Sequence, residues 1–379
     1  MKSIALIGGG ATNLLLAALL SKNNVKVDII EIRNRVGKKI LETGNGKCNF
    51  TNTNITKDDY NHPDFVNEII KYDIKEIFNS LGLLSYSDNE GRCYPCSDAS
   101  NSILDLLRSK YLDNPLIHEL VESEVTNIKR TNNKYILTIN NNKYEYDYVV
   151  LGIGSKVNNN NFKQLNLDLN TITYNPSLCP ILTKVSGLKG VRVKCLMTLK
   201  NKNLNIYQDQ GEVIFKDNAI SGIAIFNASF YINKLNLTKS TISLDLFPTL
   251  SIDDLKSFLI KKLNQSPSVF FIGITNKMVG QYIINKLNLK NTITKEDINN
   301  IAFTLKNLDF EVLGLMDAPQ VAKGGIDINE IKSNLELKKY SNIYIGGEMI
   351  DIDGKCGGYN LHFAFSSALT IYNNLKEIL

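Results

Sequence analysis

Three histidines are all that the 379 residues contain, and His62, His118 and His362 stand far apart. No H-x-x-x-H spacing and no Ser-His-acid order occurs, so neither a helix-borne zinc site nor a hydrolytic triad is expected. Charge of one sign is scarce as well. The formal net charge is only +5, with lysines spread among acids and asparagines, and on that average no nucleic-acid partner is expected. No apolar stretch reaches the length that spans a bilayer, which leaves a membrane out of the expected partners. The run from residue 4 to 20 follows Met1 and Lys2, yet three glycines and a Thr-Asn pair interrupt it. No small-residue cleavage site precedes the strand pattern at 25–30, so it reads as buried core and not as a leader. Six cysteines without a secretory context imply reduced thiols and a cytoplasmic location.

What is present is ordinary in bulk, 43% hydrophobic and 21% charged. A chain of this length exceeds one core and implies two or three domains. Its first 31 residues carry the strongest pattern: an apolar strand (Ile4 to Ile7), a glycine turn (Gly8, Gly9, Gly10), a helix from Ala11, and an alternating strand (Val25, Val27, Ile29) closed by Glu31. This is a βαβ unit shaped for a dinucleotide. Glycines let the backbone approach a pyrophosphate, the helix start offers unpaired N–H groups, and the acid can hold ribose hydroxyls. Gly8 and Gly10 fit the G-x-G-x-x-G/A fingerprint, whereas its third position is Asn13.

Residues 32–52 lack apolar periodicity and read as an ordered loop. Arg33, Lys38, Lys39 and Lys47 give it positive charge, and Thr43, Asn45, Gly46 and Asn49 give it donors and tight turns, which suits a dianionic, ring-bearing cofactor. A core helix is expected over 64–81 and another from about 102 to 110. Short strands follow over 117–130, 134–139 and 144–152, the last ending in Gly152-Ile153-Gly154-Ser155. From 178 to 250 the runs CPILTKV, VKCLMTLK, LNIYQDQ, GEVIF, IAIFNAS and ISLDLF read as strands of an antiparallel barrel or sandwich. Helices are expected over 251–263, 277–289 and 294–308. The strand 342–345 then leads into GGEMIDIDGKCGGYN and a final helix from about Leu361 to Leu375. Cys93 and Cys96 form a C-x-x-C. Zinc would need a second ligand pair, and the other four cysteines are scattered singly, so incidental thiols are expected ahead of a dithiol relay.

The combination GGG, GKKILETGNGKCNFTN (37–52), GRCYPCSDAS (91–100) and GGEMIDIDGKCGGYNLHFAFSSA (346–368) resembles the BaiN-like, or aminoacetone-oxidase-like, NAD(P)/FAD-dependent oxidoreductases, two-dinucleotide-binding-domain flavoproteins. Ala11-Thr12-Asn13 and Gly152-Ile153-Gly154-Ser155 depart from the usual family segments. The resemblance implies an α/β fold: a discontinuous Rossmann-type FAD-binding domain with an inserted antiparallel β-barrel-like domain and a small helical subdomain. Expected boundaries are 1–176 and 326–379 for the FAD-binding domain, 177–250 and 311–325 for the β-rich domain, and 251–310 for the helices.

The implied FAD contacts are Gly8, Gly10, Ala11, Thr12, Asn13, Glu31, Arg33, Lys38, Thr43, Asn45, Gly46, Cys48, Asn49, the backbone of Val125, Gly152 and Gly154 at the front. At the back they are Gly347, Glu348, Gly358, Tyr359, Asn360 and Leu361. Glu348 is expected at the ribityl hydroxyls, and the helix opened by Gly358-Tyr359-Asn360 at the pyrimidine oxygen. No second G-x-G-x-x-G occurs, so NADH or NADPH is expected only as a transient reductant. Arg92, Tyr94, Tyr359 and His362 are candidates for a catalytic role; His362, one turn into the last helix, is expected to be a histidine packed at a helix start ahead of a proton donor near the flavin. The expected activity is an FAD-dependent oxidoreductase passing hydride between flavin and NAD(P)H or a small organic substrate. The alternative is an FAD-binding protein with a structural or RNA-modification-related role.

Overall fold

The computed structural model describes residues 1–155, 159–202 and 204–379. The chain divides into two compact units, residues 1–175 with 321–379 and residues 176–320.

In the first unit a five-stranded parallel sheet is built from β1 (Lys2–Ile7), β2 (Val25–Ile30), β3 (Ile117–Leu120), β4 (Tyr148–Leu151) and β5 (Ile343–Ile345), in the order β5-β4-β1-β2-β3. Every pairing is parallel, with Ile7 opposite both Ile30 and Leu151. Helix α1 (Ala11–Leu20) carries the chain from β1 to β2, and α2 (Tyr359–Leu375) follows β5 and packs against α1. Both faces of such a sheet are covered, which is why its strands are continuous apolar runs with buried Ile4, Leu6, Val27, Val149 and Ile345. The order reverses between β1 and β4, and a crevice at the carboxyl ends of those strands is where open α/β sheets take ligands.

Residues 64–81 form two helices, Pro63–Asn67 and Ile74–Leu81, because Asp73 starts a new helix by accepting the Glu76 N–H. The stretch 117–130 likewise separates into β3 and the strand Val125–Thr131, which belong to different sheets.

The second unit is organised on a seven-stranded antiparallel sheet whose centre is the long ribbon Arg192–Asn201 and Leu204–Lys216. LNIYQDQ and GEVIF are thus one strand. IAIFNAS is not a strand: Ile223–Lys234 is a helix with Ala224, Ile225, Ala228, Phe230 and Ile232 buried. Short apolar runs do not distinguish a buried strand from a buried helix by periodicity. The helix packs over the ribbon at Gly211, where a Cβ would stand in ordinary contact, 3.6 Å from the Ala224 methyl. The helices Ile252–Leu259, Lys277–Leu287 and Lys295–Lys306 share one apolar core with these strands, including Met197, Ile242, Ile301 and Leu305.

Candidate functional site

The tip of β1 fixes the front of the site. Gly8 has φ +96°, and a Cβ on it would collide with the Gly152 carbonyl oxygen at the tip of β4. No other residue type fits that crossing. Glu31 turns back onto the turn: its Oε2 accepts the Gly9 N–H at 2.8 Å and its Oε1 the Arg33 N–H at 2.8 Å. Helix α1 then begins behind Gly10 with no side-chain cap, leaving first-turn N–H groups available to an anion.

Asn13, at the third fingerprint position, is fully buried and donates from Nδ2 to the carbonyls of Ile7 (3.0 Å) and Gly8 (2.8 Å). Gly152 makes room for it, because a Cβ there would lie 2.8 Å from that same nitrogen. The side chain therefore acts as a strut under the turn.

In the loop after β2, Lys39 forms an ion pair with Glu348 and donates to Ser155 Oγ at 3.2 Å. It thereby joins segments following β2, β4 and β5. The sequence named Lys38 for this region, and Lys38 makes no such bridge; which of two adjacent lysines faces the strand tips depends on a helical phase that a four-residue helix does not reveal. Thr43 spends its hydroxyl on the Ile40 carbonyl at 2.6 Å. Cys48 is buried, and burial pushes its thiol up to about 11, so it contributes backbone and packing only. The Asn45 side chain lies outside the described residues. The N–H of Ser123 donates to Glu31 O and that of Glu122 to Arg33 O, both at 2.9 Å, which seats the approach to Val125 beside the acid.

The back of the site meets the front directly. Thr12 Oγ1 donates to the Ala364 carbonyl at 3.0 Å, and a Cβ on Gly346 would stand 2.6 Å from Thr12 Cγ2. Gly347 has a comparable neighbour in Thr12 Oγ1, at 2.7 Å. Helix α2 opens at Tyr359 behind Gly358, whose φ of +97° and contact with the Thr51 carbonyl exclude any side chain; it too has no side-chain cap. Asn360 folds back on the loop, accepting from Gly354 N at 2.9 Å and donating to Gly354 O at 3.0 Å. Tyr359 accepts the Tyr60 hydroxyl at its carbonyl, 2.8 Å away, and Leu361 is half-buried.

Beside this opening runs the strand Arg92–Pro95, with Arg92 and Tyr94 on one side and the buried Cys93 and Pro95 on the other. Arg92 Cγ lies 3.6 Å from the Cβ position of Gly357, and its guanidinium is held by Asp88 (2.7 Å) and Glu90 (2.8 Å). Tyr94 stacks on Tyr86 at 5.7 Å, and burial raises its pKa, so it remains protonated.

His362 does not serve as a proton donor in this geometry. It is 4% exposed, its Nε2 donates to the Ile70 carbonyl at 3.0 Å and its Nδ1 accepts from Thr51 Oγ1 at 2.7 Å. Burial holds it neutral. The sequence missed Thr51, which both binds this ring and abuts Gly358. It also missed His62, whose Nε2 lies 2.9 Å from the buried Asp351 carboxylate, which in turn accepts the Gly324 N–H at 2.9 Å. Both pairs join positions some 300 residues apart, and no local pattern signals them. No disulfide joins the cysteines: Cys93 is buried and pushed up by burial, whereas Cys96 is exposed.

These residues fit a bound dinucleotide. Open space lies above Gly46 and Gly154, two helix starts lack side-chain caps, and an acid is held at the second strand's tip. The profile of the HI0933-like protein Rossmann domain matches residues 2–373.

The chain belongs to this family.

It is a family of FAD-binding oxidoreductases, as the motifs lead one to expect. Over 403 aligned residues the chain is 27% identical to the 3-dehydro-bile acid delta(4,6)-reductase of Clostridium scindens, covering 97% of each. It is 24% identical to the ribosomal RNA dihydrouridine synthases of Haemophilus influenzae (96% of each chain) and Escherichia coli (96% of this chain and 95% of that one). Among the described residues no helix is long and apolar enough to cross a membrane, and no cluster of metal-ligating side chains occurs.

Proposed function

We propose that the first unit holds one FAD between its two ends and passes hydride from NADH or NADPH, through the flavin, to an unsaturated organic substrate. The observation that carries this reading is the contact of Thr12 with Gly346, Gly347 and Ala364, which sets the uncapped starts of α1 and α2 at one edge of the parallel sheet. A bound flavin would supply the hydride acceptor and donor.

The chain supplies position and charge. The N–H groups of Ala11, Thr12 and Asn13 and the Lys39 ammonium suit the diphosphate, and Glu31 suits the ribose hydroxyls beside Arg33 and Val125. The loop holding Gly46 and Asn49 meets the start of α2, Asn49 Oδ1 standing 2.8 Å from the Cβ position of Gly358. Glu348 suits the ribityl chain, and the start of α2 stabilises negative charge on the ring that faces it. Tyr94, protonated and half-buried beside Gly44, is the side chain best suited to give a proton to a substrate carbon. Arg92, with its Nε and Nη2 engaged by Asp88 and Glu90, positions the strand.

The direction of transfer is inferred from the relatives, one named a reductase and two named for making dihydrouridine. Those last two names favour a second reading in which the unsaturated substrate is a base in RNA. Both readings meet the same test: anaerobic bleaching of the bound flavin by NADH or NADPH, followed by reoxidation with an enone or with uridine-containing RNA. Reoxidation by neither class leaves hydride transfer to an unsaturated substrate without support.

A further inference from the structure

The small net charge conceals an uneven distribution. Between Asp254 and Glu296 there is no acidic residue and there are seven lysines. None of the seven is ion-paired among the described residues. Of the acids flanking the segment, Asp254 accepts from Ser251 Oγ, and Asp297, next to Glu296, caps the following helix with Thr294. Lys262 directs its ammonium to the carbonyls of Phe270 and Ile272, so its charge is held in place without being neutralised.

The helix Lys277–Leu287 lies at the middle of this segment. Val279, Gly280 and Ile283 form its buried face. Met278, Gln281, Tyr282 and Asn285 recur at i, i+3, i+4 and i+7 on the opposite face. That face, with the Ser186–Gly187 turn, lines a groove of about 550 Å³. Lys277 and Lys286 stand at its ends, about 14 Å apart along the helix axis at 1.5 Å per residue. Lys286 reaches only a backbone carbonyl, that of Asp309, at 3.4 Å. The groove thus offers two cations, side-chain amides, a hydroxyl and the edge of a half-buried tyrosine, with no carboxylate in its lining.

We infer that this groove and the lysine-rich helices around it form a docking surface for a single strand of nucleic acid. Cations spaced along a groove track a phosphate backbone, and amides with an aromatic ring meet unstacked bases. Concavity favours a strand over a lipid surface, which is flat on this scale. The inference stands on the second unit alone and holds whatever the flavin's substrate.

The test is fluorescence anisotropy of the full chain, flavin bound, with a labelled unstructured RNA oligonucleotide across a salt series. The wild type binds at low salt with a linear log–log salt dependence. The pair Lys277→Gln and Lys286→Gln weakens binding about tenfold and lowers the salt slope by about 1.4, two phosphate contacts at ~0.7 each. Lys277→Arg with Lys286→Arg retains binding, as does the control pair Lys22→Gln with Lys110→Gln in the first unit. Flavin absorbance and its bleaching by NADH or NADPH stay unchanged in every variant, which separates this outcome from failure of the flavin reading. Absence of binding by the wild type, equal loss in the control pair, or capture by phosphatidylglycerol vesicles in place of RNA overturns the inference.

Discussion

Thr12 and Ala364, 352 positions apart in sequence, share a buried hydrogen bond of 3.0 Å from hydroxyl to carbonyl. One residue belongs to the first turn of the first helix and the other to the second turn of the last, so this bond registers the two halves of the nucleotide site against each other. Thr12→Val keeps the shape and removes the donor. The expected cost is about 1 kcal/mol of unfolding free energy in urea denaturation of the apoprotein, with weaker FAD binding beside it. Thr12→Ser restores both, and an unaltered FAD affinity in Thr12→Val would show the two halves to be independent.

Restoring the glycine fingerprint is expected to harm the protein. Asn13→Gly brings the turn into agreement with G-x-G-x-x-G but removes the amide bonded to the Gly8 carbonyl and to the Ile7 carbonyl, which also accepts the Gly152 N–H, and opens a cavity against Gly152. A loss of about 1–3 kcal/mol is expected by denaturant unfolding. A gain in stability, or tighter FAD binding, would mean that the strut is unnecessary.

The front unit was legible because all its signals are local: an apolar strand, three glycines, a helix and a terminal acid within 31 residues. The back of the site was legible through its glycines, since Gly358 tolerates nothing larger. The partners of the strut and of the histidine were not. Asn13 reads as a misfit until Gly152 is seen to yield the space, and His362 reads as a packed histidine with a proton-donor alternative until Thr51 and Ile70 are seen to take both nitrogens. The helix Ile223–Lys234 was missed for another reason: its apolar residues run together instead of alternating with polar ones, so no period distinguishes it.

His362 carries a pH dependence of stability and none of catalysis. Its pKa lies below the ordinary 6.5 because burial disfavours the cation. As pH falls through 6.5 the unfolded chain takes up a proton that the folded chain does not. The stability present above that value is therefore lost as pH descends toward the folded pKa, at no more than about 1.4 kcal/mol per pH unit. His362→Gln, able to keep both hydrogen bonds, flattens that fall in denaturation midpoints. The pH profile of flavin reduction is expected to be the same in both proteins.

The cysteine pair is expected to be silent. Cys96 is exposed and Cys93 buried with a raised pKa, so a thiol reagent labels the first at once and the second only on unfolding. Cys93→Ser with Cys96→Ser leaves the rate of flavin reduction by NADH or NADPH within about twofold, below the ~0.6 kcal/mol of thermal energy. A drop of tenfold or more would revive the dithiol relay.

The most direct measurement is titration of the apoprotein with FAD, followed by absorbance and by quenching of flavin fluorescence, for the wild type and for Gly8→Ala and Gly358→Ala. One equivalent of FAD bound with a shifted visible band, and loss of that binding when either glycine is replaced while the far-ultraviolet dichroism persists, is the result this account expects. A protein that stays colourless at saturating FAD, or that binds it equally well with both crossings altered, contradicts the claim that the two ends of the chain close on one flavin.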